Sequence, residues 1–286
     1  MLAIIVNIAL LLAIAIAYAA FDVFNKRNVP NIFVYAALAL GVAVTLLNGV
    51  YTAEISLAIA LVVGAAGYAI YRIGYWGAGD FFELVTISLI LPIQQTPLLL
   101  SVNQYGMPFL LSVFIAAGVS AVWIVPLYYL SAGRNAVKVK SKGIATEKKI
   151  LSIVMLAMYL LLFFVISSFF RLSATGAVIL AAFAIPSVVM PMYESRITQS
   201  MAKPVSAKEL EEGDMLALNL MDEKDISYFK RRSKHFGRLV TNEFLNDLRN
   251  SDRKLQVYRN AAPFALFILI GTVISLLLGN LMLLIV

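Results

Sequence analysis

The sequence contains no cysteine and a single histidine among its 286 residues. The absence of cysteine excludes disulfides, thiolate nucleophiles, cysteine-ligated zinc and iron–sulfur clusters. A single histidine excludes metal sites built from several histidines and argues against a Ser-His catalytic triad. Any chemistry must therefore come from carboxylates, hydroxyls, amines or the backbone, and we predict neither a metal site nor a cofactor.

Charged residues are also scarce, because they make up 14% of the chain while 61% of its residues are hydrophobic. Soluble domains are about one quarter charged, and they need a polar exterior that most of this chain does not offer. We therefore predict an all-α polytopic membrane protein with about eight transmembrane helices, six being possible, and a small cytosolic domain. The predicted spans are Leu2–Phe21, Asn31–Asn48, Ile55–Ile73, Phe81–Leu100, Met107–Leu130, Ile150–Phe170, Ser173–Met192 and Ala261–Val286.

The placement of basic residues predicts the orientation of the spans. Lys26, Arg27 and Arg72 lie in one set of connections together with the basic cluster between residues 134 and 149, whereas the alternate connections are nearly free of lysine and arginine. The positive-inside rule then places the basic connections in the cytoplasm. The net charge of +7 is thus a signal of topology and of attraction to the lipid bilayer, not of nucleic-acid binding.

The predicted units are a membrane core at 1–130, a basic cytosolic linker at 131–149, two further spans within 150–192, a cytosolic soluble module at 193–260 and a C-terminal span at 261–286.

Only four acidic residues occur in the first 130, namely Asp22, Glu54, Asp80 and Glu83. Asp22 lies where the first span ends and Asp80 where the fourth begins, so both are expected at the cytoplasmic edge of the bilayer, opposite to Glu54. Ionisable groups at such positions are candidates for function because their desolvation is costly. The two aspartates can form a dyad in which one acts as general base on a water while the other, protonated, polarises a carbonyl group. Such a reaction requires no metal.

The second aspartate ends the segment Gly77-Ala78-Gly79-Asp80. Glycines before an acid allow close approach of a substrate backbone and positive φ angles, and we expect both properties of Gly77 and Gly79. A purely structural interpretation is also open, in which Asp80 is the N-cap of the fourth span and Glu83 completes a capping box. Asp22 is harder to explain in this way, since it lies at a helix C-terminus, where the helix dipole disfavours an anion.

The segment from Phe21 to Asn31 has an acid, a basic pair and then a Pro-Asn, and it resembles the loop after the first helix of type IV prepilin peptidases. Together with Gly77–Asp80 it resembles the paired signature of the GxGD aspartic proteases, most closely the archaeal preflagellin and prepilin peptidase branch. The resemblance covers residues 1 to about 100. The chain departs from it at Phe82, where many members have lysine, and in lacking the cysteine-rich zinc loop of bacterial members, which argues against their N-methylating activity.

This resemblance implies an endopeptidase that removes a class III signal peptide, a short basic leader immediately before a hydrophobic helix, at the cytoplasmic face of the cell membrane. It implies that Asp22 and Asp80 are catalytic, that Gly77 and Gly79 allow the substrate to approach, and that Glu83 attracts the basic leader. The expected partners are preflagellin or prepilin-like precursors and the lipid bilayer.

Three other classes remain open. A non-enzymatic scaffold for archaellum or pilus assembly would use the basic loop and the soluble module and would need neither aspartate. A transporter would need charges near the midplane, broken helices or an inverted repeat, and the sequence has no clear case of these. A presenilin-like intramembrane protease shares Gly-x-Gly-Asp but places Tyr-Asp inside a helix, whereas Asp22 follows Phe21 at a helix end.

Overall fold

The computed structural model describes residues 2–25, 28–74, 76–93, 98–99, 107–132, 146–169, 172–248, 253–259 and 262–280. Within these residues the chain forms ten α-helices and one antiparallel pair of short strands. The predicted all-α polytopic class is confirmed. The elements are α1 (Leu2–Phe24), α2 (Asn31–Leu47), α3 (Val50–Ile73), α4 (Ala78–Ile90), α5 (Phe109–Ala132), α6 (Thr146–Phe169), α7 (Ala174–Met201), β1 (Lys203–Ser206), α8 (Glu223–Arg232), α9 (Asn242–Leu248), β2 (Lys254–Val257) and α10 (Phe264–Leu278).

Five of the helices in the described residues, α1, α3, α5, α6 and α7, are long and apolar enough to cross a membrane, while α2 and α10 are shorter apolar helices. Each predicted span overlaps one of these helices, and the fourth differs most from its prediction. Helix α4 begins at Ala78 instead of Phe81 and ends at Ile90, so its 13 residues cover about 20 Å against about 30 Å of hydrocarbon. It ends before Pro92, which disfavours helical backbone in the residue preceding it.

The outer surface of the helices is strongly apolar. In α6 the side chains of Leu160, Leu161 and Phe164 are among many large apolar groups that are exposed. A continuous apolar surface of this size would be unfavourable in water and is typical of contact with lipid. The described helices therefore form a bundle whose exterior suits a bilayer.

The short helix α4 lies at the centre of the bundle, and its residues Leu84, Ile87 and Ile90 are buried in the main core. Helices α1, α2 and α3 pack around it. The contact with α3 is close, because a Cβ atom added at Gly67 would lie 2.5 Å from Cβ of Phe81. A helix too short to cross the bilayer is thus enclosed by longer ones.

Helix α10 is distant in sequence yet packs against both α1 and α5. A Cβ atom added at Gly271 would lie 2.5 Å from the carbonyl oxygen of Val113 in α5, so glycine permits direct contact between the two backbones. At the other end of α10, the backbone N–H groups of Leu98 and Leu99 donate to the carbonyl oxygens of Leu276 and Leu277, at 3.1 and 2.9 Å. The last helix is therefore an integral part of the core.

A small polar module follows α7, spanning Lys203–Val257, with its own core around Phe229, Phe244 and Leu255. Strands β1 and β2 pair its two ends antiparallel. Helix α7 continues to Met201, so the folded module begins ten residues after the predicted boundary at 193. Helices α8 and α9 lie between these two strands in the chain.

The module contains a tight turn at residues 211–214, in which the backbone N–H of Asp214 donates to the carbonyl oxygen of Glu211 and Gly213 has a φ of 90°. The module packs against the membrane helices at the end of α3, where a Cβ atom added at Gly74 would lie 3.4 Å from Cβ of Arg238. Helix α6 begins at Thr146, inside the predicted linker, and residues 133–145 of that linker lie outside the described residues. The division of the chain into cytosolic and membrane units stays a prediction.

Candidate functional site

Asp22 is the third residue from the C-terminal end of α1, and its carboxylate reaches the beginning of α10. Its Oδ2 accepts a buried hydrogen bond of 3.0 Å from the backbone N–H of Ala265, the second residue of that helix. N–H groups in a first helical turn have no partner within the helix and carry its positive partial charge. Asp22 therefore compensates the end of a helix 243 residues away, which explains an anion at the C-terminus of α1.

Asp80 is the third residue of α4, and its Oδ2 accepts a hydrogen bond of 2.9 Å from the backbone N–H of Gly77. The interpretation of Asp80 as the N-cap is therefore wrong. Gly77 is the N-cap, with extended backbone at φ −74° and ψ 155°, and it places Asp80 at N3. As a consequence Glu83 lies in the second turn and has no role in capping.

The two glycines of the motif provide space and not an unusual backbone conformation. Neither Gly77 nor Gly79 has a positive φ, so that expectation is wrong. A Cβ atom at Gly77 would lie 3.1 Å from Oδ2 of Asp80, and one at Gly79 would lie 3.0 Å from Cγ2 of Val29. The first glycine leaves room for the aspartate carboxylate, and the second allows the loop after α1 to contact α4.

Glu83 is completely buried, at 0% exposure. Within the described residues neither of its carboxylate oxygens has a hydrogen-bond partner. It interacts electrostatically with both Asp80 and Asp22. Asp22, Asp80 and Glu83 thus lie close enough for both aspartates to act electrostatically on Glu83, whereas Glu54, near the start of α3, is exposed. A carboxyl cluster of this kind can bind a water or a cationic group, because its oxygens accept hydrogen bonds.

Aromatic residues surround this carboxyl cluster of Asp22, Asp80 and Glu83. Trp76, next to Gly77, stacks on Phe114 of α5 with ring centroids 6.1 Å apart and contacts Phe264 of α10 at 5.7 Å. Tyr18 is fully buried and lies close enough to Glu83 to interact with it electrostatically.

Sequence reasoning missed two residues of the site, Tyr18 and Ala265. Tyr18 precedes Asp22 by four positions, and this spacing places both on one face of α1 and is visible in the sequence. Ala265 contributes only its backbone N–H, so no side-chain signal could have identified it. Among the residues that the structure describes, no group of three or more histidine, aspartate or glutamate side chains is arranged to hold a metal ion.

Residues 9–125 match the model of the Type IV leader peptidase family. This segment, less than half of the chain, is similar to that family, in agreement with the resemblance of the sequence motifs to prepilin and preflagellin peptidases. The matched segment includes Asp22, Asp80 and Glu83 and ends within α5, so α10 and the polar module lie outside it. No curated protein and no solved structure matches the chain.

Proposed function

Because residues 9–125 match the type IV leader peptidase family, we propose that this chain is a GxGD-type aspartic endopeptidase in the cell membrane. Its substrates are preflagellin or type IV prepilin-like precursors, from which it removes the short basic leader. One observation carries the proposal: within the matched segment, the carboxyl groups of Asp22 and Asp80 both interact with Glu83 where α1, α4 and α10 meet.

In the proposed reaction one aspartate, acting as general base, takes a proton from a bound water. The water oxygen attacks the carbon of the scissile peptide, while the other aspartate, protonated, donates a hydrogen bond to the carbonyl oxygen. The tetrahedral intermediate then collapses, the C–N bond breaks and the leaving amine takes up the proton that the general base had accepted from the water. The products are a leader with a new carboxylate and a mature protein with a new amine. Either aspartate can take either role.

The backbone contacts support this assignment, because each aspartate is oriented by an N–H group at the beginning of a helix. Hydrogen bonds to a carboxylate from such donors are charge-assisted and hold it in one orientation. A dyad needs this rigidity, since small displacements of a catalytic group strongly reduce the rate.

We place the site at the cytoplasmic face of the membrane. Lys26 and Arg27 follow Asp22 by four and five positions, and such basic residues favour the cytoplasmic side. A precursor whose hydrophobic helix stays in the bilayer would present its leader junction at this depth. The polar module would then also lie in the cytoplasm, since it packs against the end of α3 next to this site.

Glu83 is the residue we propose to attract the leader. Its buried carboxyl oxygens have no partner among the described residues, although buried polar groups normally have one. A lysine or arginine of a leader that enters the carboxyl cluster would supply that partner. The negative charge of the carboxyl cluster also favours a basic leader over an acidic one.

The test is cleavage of a leader-bearing precursor by the full-length protein in membranes, followed by mapping of the new N-termini. Asp22→Asn and Asp80→Asn are each expected to abolish cleavage, and Glu54→Gln, which changes the exposed fourth acid, should leave it intact. Near wild-type cleavage by either aspartate variant would refute the proposal. Assembly that proceeds normally in cells carrying both aspartate substitutions would instead support a non-enzymatic scaffold.

A further inference from the structure

We propose that the first turn of α10, outside the family-matched segment, completes the active site. Ala265 is inferred to be a positioning residue whose backbone N–H orients the Asp22 carboxylate, with Phe264 supporting the opposite side of the dyad through Trp76. This inference rests on the proposed function, since it concerns how the same dyad is held.

The hydrogen bond between Ala265 and Asp22 is well placed for this role. It measures 3.0 Å and is buried, and the exposure of Asp22 is only 7%. Because little water reaches the carboxylate, no solvent donor can easily replace the N–H group. Hydrogen bonds to charged groups are also stronger than those between neutral groups.

The neighbouring residue in α10 connects to the other aspartate. Phe264 contacts Trp76 with ring centroids 5.7 Å apart, and Trp76 directly precedes Gly77. The N–H of Gly77 is the donor that binds Asp80. One turn of α10 therefore touches the supports of both aspartates, through a backbone contact on one side and an aromatic contact on the other.

The position of this turn is fixed by the membrane core. The close contact of Gly271 with Val113 holds the middle of α10 against α5, and hydrogen bonds from Leu98 and Leu99 hold its C-terminal end. The segment 258–263 connects the turn to strand β2 of the polar module. The site is therefore assembled from helices distant in sequence, and Ala265, which donates to Asp22, lies outside the matched segment.

The decisive variant is Ala265→Pro, which removes the N–H donor at a position where proline is compatible with a helix, because first-turn N–H groups make no intrahelical bond. In full-length protein in lipid nanodiscs we expect kcat for precursor cleavage to fall by about tenfold to a hundredfold, the loss associated with a hydrogen bond to a charged group, with KM within about twofold of wild type. Thr175→Pro makes the same change at the second residue of α7 and should leave both constants unchanged.

Two further variants keep the test decisive. Ala265→Val adds volume but retains the donor, and we expect a several-fold smaller loss of kcat than for Ala265→Pro. Phe264→Leu keeps an apolar side chain but removes the ring that contacts Trp76, and we expect kcat to fall several-fold with KM unchanged. If thermal unfolding shows that Ala265→Pro does not fold, the kcat of Phe264→Leu decides whether α10 supports the active site.

The outcomes separate the two proposals. Suppose that Asp22→Asn abolishes cleavage but Ala265→Pro or Phe264→Leu retains the wild-type kcat. This result would overturn the role of α10 and leave the peptidase assignment intact. Equal losses for Ala265→Pro and Ala265→Val would also overturn it, since packing and not the donor would then matter. Cleavage by Asp22→Asn would instead refute the proposed function itself.

Discussion

The contact of α10 with α5 allows a quantitative prediction, because Gly271 lies where the two backbones meet. A Cβ atom there would be 2.5 Å from the carbonyl oxygen of Val113 and 2.8 Å from the backbone nitrogen of Ala117. Both are main-chain atoms, so no change of rotamer can relieve the overlap. For Gly271→Ala the helices would have to separate by roughly 0.9 Å to reach ordinary van der Waals distance, and overpacking of this kind costs about 1–3 kcal/mol.

The same substitution also gains about 1 kcal/mol of helix propensity, so the expected net loss in free energy of unfolding is about 0–2 kcal/mol. Gly118→Ala in α5 is the matched control, since its added Cβ would have no neighbour within 4 Å, and it should stabilise the protein slightly. The measurement is reversible unfolding in mixed micelles, with precursor cleavage recorded in parallel. Equal stability of the two variants would refute the close packing of α10 against α5.

Three further outcomes are expected. Glu83→Gln should raise KM several-fold for a precursor whose leader contains lysine. The same variant should leave KM unchanged when the lysines of that leader are replaced by glutamine. If wild type and Glu83→Gln have the same KM for the lysine-containing leader, Glu83 does not bind the leader. Gly77→Ala should lower kcat about tenfold with little change in stability, because its Cβ would displace the Asp80 carboxylate, whereas Gly64→Ala, which makes only an ordinary contact with Val85 at 3.5 Å, should retain cleavage. A wild-type kcat for Gly77→Ala would show that the space left by Gly77 is not needed for the Asp80 carboxylate. Asp214→Asn should destabilise the polar module by about 1 kcal/mol, as its ion pair with Arg259 at 2.9 Å is partly buried, and unchanged thermal unfolding would argue against this.

The sequence predicted the helices well, because about 20 apolar residues bounded by charge or proline are a strong local signal. The short length of α4 follows from Pro92, which the sequence also shows. The predicted N-terminus of α4 was wrong, because the N-cap is Gly77 and not Asp80. Glycine and aspartate are both accepted at that position, so local preference alone could not decide between them.

The candidate site was partly predictable. The scarcity of acids in an apolar sequence singles out Asp22, Asp80 and Glu83, and all three come together. The complete burial of Glu83 was not foreseen, because it depends on the enclosure of α4 by its neighbours. The contact between Asp22 and Ala265 was equally invisible, since a backbone donor 243 residues away is located by helix packing and leaves no trace in residue type.

Asp22 and Asp80 are proposed to act as one unit on one water, and a double-mutant cycle can show whether they do. Single-turnover cleavage would be measured for Asp22→Asn, Asp80→Asn and the doubly substituted protein. We predict that each single variant loses on the order of 10⁴-fold in rate and that the double variant loses no more than either, as for catalytic groups that work together. Losses that multiply in the double variant would show that the two residues act independently and would contradict the account.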